Sequence, residues 1–256
     1  MKRVATALVL IPIFLYVVLW SPQWAFLTAV ALVALLCFRE FSDLVAHHNI
    51  PKPGVFGYAA GLAVLFLPSR DATFLTLVAI LAMTLALRVP DLTEALPAAG
   101  SLVLGVVYVF GALRCGIELR AMHPDWLFFG LSLNWVGDIT ALYVGKLIGK
   151  HKLAPIVSPA KSWEGSAASV AGSLIYAAIY FPRLLPAVPM AEALALTAAA
   201  NVAGQFGDLC ESALKRGAGV KDSGSFLPGH GGWLDRVDST LFALPVLYFL
   251  VSNFRR

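Results

Sequence analysis

The sequence predicts an all-α fold: a polytopic transmembrane helical bundle of about nine spans with a polar active site on its cytoplasmic side. Three observations carry this expectation. Apolar residues make up 59% of the 256 and charged residues only 13%, with a mean hydropathy of +0.79, where a soluble domain carries roughly 45–50% and 25%. Apolar runs of membrane-spanning length recur from end to end with short gaps. Two polar stretches, 134–165 and 207–239, interrupt them.

A span needs about 20 apolar residues, and fewer where flanking side chains snorkel. The runs are approximately Val4–Trp20, Trp24–Phe38, Val55–Pro68, Thr73–Val89 and Ser101–Leu119, then Trp126–Gly149, Ser166–Leu185, Ala191–Cys210 and Val237–Phe254. Met1-Lys2-Arg3 before the first run imitates a secretory leader. That run is nearly span-length and no small-x-small cleavage site follows, so it reads as a retained helix. Strand-like alternation is absent, which argues against a β-barrel. No repeat or low-complexity tract divides the chain. Residues 1–256 therefore read as one integral membrane domain, with lipid-facing spans over 1–120 and catalytic spans and loops over 121–256.

Nine spans with a cytoplasmic N-terminus put 13 of the 19 Lys and Arg residues on the inside, as the positive-inside rule requires. The final Arg255-Arg256 pair falls on the other side. The net charge of +4 reflects this bias and attraction to anionic lipid heads, and does not suggest nucleic-acid binding. Cys37, Cys115 and Cys210 are odd in number and widely spaced, so neither a disulfide framework nor a zinc site is indicated. Trp20, Trp24, Trp126 and Trp233 lie near span ends, where interfacial belts form; Trp163 lies in a polar loop. His47, His48, His123 and His151 read as surface residues.

In the first polar stretch, Asp138 falls inside an apolar span, where an unpaired charge is costly and usually functional. Lys146 and Lys150 follow at i+8 and i+12. A loop punctuated by Pro155 and Pro159 then carries Ser158, Lys161, Ser162 and Glu164. These lysines form either a phosphate-receiving rim or an ordinary positive-inside loop.

The second stretch holds the carboxylates Asp208, Glu211, Asp222, Asp235 and Asp238, and the cations Lys215, Arg216, Lys221 and Arg236. Asp208, Ser212 and Lys215 stand at i, i+4 and i+7, so one helical face presents a carboxylate, a hydroxyl and an ammonium. Asp235, Asp238 and Ser239 repeat the arrangement at i, i+3 and i+4. A glycine-rich loop between them can bend back. Converging carboxylates require a cation, and oxygen-only ligands suit a hard ion such as Mg²⁺. Gly229-His230-Gly231-Gly232 permits close backbone approach to an anion. On its own, His230 reads better as a loop donor than as an acid or base. GxxxxGK followed by Ser or Thr, HExxH and GxSxG are all absent, which leaves P-loop, zincin and serine-hydrolase chemistry without sequence support.

Ser212-x-x-Lys215-Arg216, Lys221-Asp222-Ser223-Gly224, Leu227-Pro228-Gly229-His230-Gly231-Gly232 and Leu234-Asp235-Arg236-Val237-Asp238, in that order, resemble the signature of phosphatidate cytidylyltransferases (CDP-diacylglycerol synthases). Gly145-Lys146-x-x-Gly149-Lys150-His151-Lys152-Leu153-Ala154-Pro155 and Ser158-Pro159-x-Lys161-Ser162-Trp163-Glu164-Gly165 resemble the bacterial branch. The resemblance covers the C-terminal half. It departs at Gly137-Asp138-Ile139-Thr140-Ala141-Leu142-Tyr143, where larger residues stand in place of small ones.

The resemblance implies transfer of CMP from CTP to phosphatidic acid, giving CDP-diacylglycerol and pyrophosphate with Mg²⁺. It implies Asp208 and Asp235 as metal ligands. The catalytic set would be Asp208, Ser212, Lys215, Asp222, Asp235 and Asp238, supported by Asp138 and Ser158. Lys146, Lys161, Arg216, Lys221, His230, Arg236, Gly231 and Gly232 would bind substrate phosphates. The partners would be CTP, phosphatidic acid and membrane lipids; a homodimer and a second cation are compatible with it. The location would be the bacterial inner membrane, with the site facing the cytoplasm. Two rivals follow from other readings of the same residues. A CTP-dependent polyprenol or phytol kinase would release CDP, and an ion-coupled transporter would turn over no CTP.

Overall fold

The structure, a computed structural model, describes residues 12–67, 72–226 and 231–254. It is helical almost throughout. The chain divides into two compact units: Pro22–Arg114 with Leu214–Arg236, and Met1–Ser21 with Cys115–Ala213 and Val237–Arg256.

The first of these contains α2 (Gln23–His47), α3 (Gly54–Phe66), α4 (Ala72–Ala86) and α5 (Ala95–Gly105). A short 3-10 turn, Leu92–Glu94, leads into α5. Asp91 caps that turn by accepting the Thr93 backbone N–H at 2.9 Å, and this bond holds its carboxyl below the ordinary range. After α5 the helix widens into a π-turn, Val106–Gly111, and continues as α6 (Ala112–Met122). Its core is aromatic. The Phe38 ring lies 5.2 Å from Phe110 and 4.9 Å from Tyr58. Gly61 and Gly105 make room for these rings, since a Cβ at Gly61 would stand 2.2 Å from Phe110 and one at Gly105 2.5 Å from Phe41. The Arg114 guanidinium donates to the Leu65 and Leu67 carbonyls at 3.0 and 2.7 Å, satisfying acceptors that the end of α3 leaves open.

The second unit contains the helix of residues 12–19 (α1), most of α7 (Pro124–Ile148), α8 (Trp163–Leu184), α9 (Met190–Gly217) to Ala213, and α10 (Leu234–Phe254) from Val237. Its helices approach closely where side chains are small, and polar groups join them, as membrane helices require. Gly137 faces Asn201 and Ser169, Gly204 faces Asn134, and Gly207 faces the Asp238 carbonyl. Asn201 Nδ2 donates to Ser169 and Ser173 at 3.0 and 2.9 Å, and Gln205 Nε2 donates to Asn201 Oδ1 at 2.7 Å. Thr140 sits over Gly172, where a Cβ would lie 2.5 Å from its methyl. Gly172→Val is therefore expected to destabilise this unit by about 1–3 kcal/mol, measured as a lower thermal midpoint in detergent.

Among the described residues, five helices are long and apolar enough to cross a membrane: Gln23–His47, Leu92–Met122, Pro124–Ile148, Trp163–Leu184 and Leu234–Phe254. Gly54–Phe66 and Thr73–Ala86 are apolar but shorter. This is a multi-pass helical membrane protein. Residues 4–11 of the Val4–Trp20 run and the Arg255-Arg256 pair lie outside the described residues. Trp20 and Trp24 are 70% and 73% exposed, as interfacial residues are, but Trp126 is fully buried. Its ring packs edge-on against Phe181 at 5.6 Å, so it belongs to an aromatic layer inside the unit and not to an interfacial belt.

The polar stretch after α7 is not a plain loop. Lys152–Ala154 (β1) and Ser158–Ser162 (β2) pair as an antiparallel hairpin, with Lys152 opposite Ser162 and Ala154 opposite Ser158. Pro159 is tolerated because a two-stranded ribbon has free edges. Gly149 ends α7 in an extended conformation, and a Cβ there would meet the Gly145 carbonyl at 2.3 Å. Lys150 consequently leaves the helix and does not share a helical face with Asp138 and Lys146. Ser162 Oγ accepts the Gly165 N–H at 3.1 Å and caps α8.

Candidate active site

Two ionic clusters form, one in each unit. In the unit that contains α7 and α8, Lys161 leaves the second hairpin strand and its Nζ lies 2.5 Å from Asp208 Oδ2 on α9. Ser212, one turn later, donates to Asp208 Oδ1 at 3.3 Å. Asp138 is exposed on α7, within the electrostatic reach of Asp208, Asp238 and Lys161. Asp238 Oδ1 accepts the Ser239 N–H at 2.6 Å. The Gly207 backbone lies against the Asp238 carbonyl, which brings α9 and α10 together beside Asp208. In this cluster Lys161 is bonded to Asp208, and Asp138 feels the charges of Asp208, Asp238 and Lys161.

In the other unit, Lys215 Nζ lies 2.5 Å from Asp235 Oδ1, with the two side chains only 10% and 7% exposed. Asp235 Oδ2 also accepts the N–H groups of Ser223 and Gly232 at 2.9 and 2.8 Å. Gly231 has φ +77°, and a Cβ there would stand 2.8 Å from Asp235 Oδ2 and 3.6 Å from Asp222 Oδ1. Only glycine suits that position, both for its backbone conformation and for the space between two carboxylates.

Glu40, which sequence reasoning missed, completes this cluster. It stands on α2 and is 7% exposed. Its carboxylate accepts Ser223 Oγ at 2.9 Å, the Trp233 N–H at 3.0 Å and the Leu234 N–H at 2.8 Å. It thus satisfies donors at the start of α10 that no helical partner reaches. Gly232 leaves it room, since a Cβ there would meet Glu40 Oε2 and Ser223 Oγ at 2.3 Å. The sequence offered little signal, because Glu40 follows Arg39 just beyond the Trp24–Phe38 run and looks like an ordinary polar span end.

The remaining sequence-predicted residues are more open. Lys146 is exposed in the last turn of α7; Lys221, Asp222 and Arg236 are exposed, and Ser158 is half-buried. Arg216 is exposed and donates to the Val220 carbonyl at 3.0 Å. His230 lies outside the described residues. His48 is not a free surface residue: its Nε2 pairs with the Leu214 carbonyl at 3.0 Å. His151 pairs with Glu164 at 2.6 Å, and His123 accepts the Asp125 N–H at the start of α7.

Among the described residues, no three His, Cys, Asp or Glu side chains converge closely enough to hold a metal ion together. The donor chemistry nevertheless fits a hard divalent cation. The carboxylates offer oxygen alone, Asp138, Asp208 and Asp238 in one unit and Asp222 and Asp235 in the other, and Asp208 and Asp235 each already bind one cationic group.

The chain belongs to the Cytidylyltransferase family, whose profile matches residues 1–254, and this membership makes the multi-pass helical protein with its ordered carboxylate–lysine clusters a membrane nucleotidyltransferase. It is 33% identical to the phosphatidate cytidylyltransferase of Bacillus subtilis (strain 168), over 99% of this chain and 98% of that protein. It is 32% identical to the proteins of the same name from Staphylococcus aureus (strain COL) and Staphylococcus haemolyticus, over 97% of this chain and 98% of each relative.

Proposed function

We propose that this protein transfers CMP from CTP to phosphatidic acid, giving CDP-diacylglycerol and pyrophosphate for phospholipid synthesis. One observation carries the reading. The Ser212–Asp238 segment folds so that Lys215, Asp235, Ser223 and Gly232 form a single bonded knot at the head of an apolar helix. Family membership over the whole chain supports the same assignment.

In this reaction an oxygen of the phosphatidate monoester attacks the α-phosphorus of CTP. The bond from that phosphorus to the α–β bridging oxygen breaks, and its electron pair leaves with pyrophosphate. A phosphate monoester is largely ionised near neutral pH, so little base catalysis is required. The main demand is electrostatic, because two polyanions must approach. Lys161 and Lys215 supply positive charge within the clusters. Lys146, Arg216, Lys221 and Arg236 supply it on exposed backbone close by in sequence, with the Gly231-Gly232 backbone as further donors.

Asp208 and Asp235 are proposed as carboxylates that hold Mg²⁺, with Asp138, Asp222 and Asp238 in support. Bound there, the ion would neutralise charge on phosphate oxygens. Ser212 and Ser223 orient the aspartates by hydrogen bonds. We further read nine spans in a bacterial inner membrane, with both polar stretches in the cytoplasm, where CTP is available. The support is the distribution of Lys and Arg.

An acceptor panel tests the substrate assignment. Purified protein with CTP and Mg²⁺ is expected to cytidylylate phosphatidic acid and to leave diacylglycerol and polyprenol unchanged. Phosphorylation of polyprenol would favour the kinase reading instead. Solute flux in liposomes without CTP turnover would favour a transporter.

A further inference from the structure

The unit that contains α2 and α5 carries a half-open cavity of about 220 Å³ beside Phe41, Leu44, Val45 and Leu214. Phe41, Leu44 and Val45 are nearly inaccessible and form its floor. Pro97 and Leu104 stand at the exposed rim; Leu104 is 51% exposed. Two polar residues line it, and neither offers a free group. Ser101 Oγ donates to the Ala98 carbonyl at 2.9 Å, and His48 Nε2 is engaged with the Leu214 carbonyl. The surface offered to a guest is therefore almost entirely carbon.

That surface excludes phosphates and nucleotides. Apolar cavities near ~150 Å³ stay dry and accept hydrocarbon guests. Two of the contributing helices, Gln23–His47 and Leu92–Met122, have membrane-spanning character, so the adjacent medium is acyl chain. The position of Leu214 selects among acyl chains. The next residue, Lys215, carries the ammonium paired with Asp235, so the hydrocarbon wall adjoins, along the helix, the ionic cluster proposed to receive the substrate's phosphate. An occupant satisfied by both is an amphiphile with its phosphate next to its chains.

We propose that this cavity is the subsite for one acyl chain of the phosphatidate substrate and that its rim at Leu104 sets chain-length preference. This rests on the proposed cytidylyltransferase activity. Leu104→Trp narrows the entrance and Leu104→Ala opens it. Leu87→Trp serves as control, because Leu87 is 78% exposed and lies outside the cavity lining.

Each variant is assayed in detergent with dioleoyl and dioctanoyl phosphatidate, and KM for CTP is measured in parallel. Leu104→Trp is expected to lower the dioleoyl-to-dioctanoyl ratio of kcat/KM by about tenfold or more, with KM for CTP unchanged. Leu104→Ala is expected to move the ratio the other way, and the control to leave it alone. If Leu104→Trp does not elute as a folded species, the sign of the Leu104→Ala shift decides. A ratio unchanged in the folded Leu104 variants would overturn the subsite. So would an equal loss with both lipids, which would mean that bulk lipid fills the cavity. A wild-type protein that makes no CDP-lipid from either substrate would overturn the underlying activity instead.

Discussion

Asp235→Asn is expected to reduce Mg²⁺-dependent CDP-diacylglycerol formation by at least about 10²-fold, the scale on which removal of one electrostatic catalytic group acts. Asparagine is nearly isosteric and keeps an oxygen for the Ser223 and Gly232 N–H groups, so the loop ending at α10 retains its local hydrogen bonds. What disappears is the negative charge opposite Lys215. That pair is mostly buried, and leaving one member of a buried pair uncompensated costs about 3–5 kcal/mol, less whatever the neutral amide recovers. Loss of activity could then reflect folding alone. The double variant Asp235→Asn with Lys215→Met separates the two effects. Removing both charges is expected to restore the thermal midpoint towards wild type while leaving turnover low. If the double variant recovered both stability and turnover, Asp235 would be a structural residue only.

Glu40→Ala should have the next largest effect, although Glu40 stands far from the motif in sequence. The substitution strands Ser223 Oγ and the Trp233 and Leu234 N–H groups. A buried donor left unsatisfied costs about 1–3 kcal/mol, and all three belong to the segment that presents Asp235. The expected result is a strong drop in kcat with the protein still inserted in the membrane. Faster proteolysis after Lys221 in the released loop should accompany it. Glu40→Gln keeps one acceptor oxygen and is expected to recover part of the activity, as befits a positioning residue. Equal activity of the alanine and wild-type proteins would remove Glu40 from the site.

The helical membrane fold was legible because it rests on composition and run length, which need no knowledge of contacts. The Lys215–Asp235 pairing was within reach for a related reason: glycines between the two helices permit the return of the chain. Glu40 was not, since its partners lie 183 to 194 positions away and helical periodicity carries no information over that distance. Lys161–Asp208 was legible only as two charged residues in separate polar stretches. The hairpin that delivers Lys161 has short strands containing a proline, so no alternation announces it. Trp126 shows the limit of a positional rule, because an aromatic residue near a span end packs inward when a ring such as Phe181 is there to receive it.

The most direct measurement supplies wild-type protein in detergent with phosphatidic acid, Mg²⁺ and CTP labelled at the α-phosphorus. The expected result is transfer of the label into the organic phase as lipid-linked CMP, with one pyrophosphate released for each lipid modified. Retention of the label in water as CDP, with an unlabelled phosphate gained by a lipid, would contradict cytidylyl transfer as the chemistry of this site.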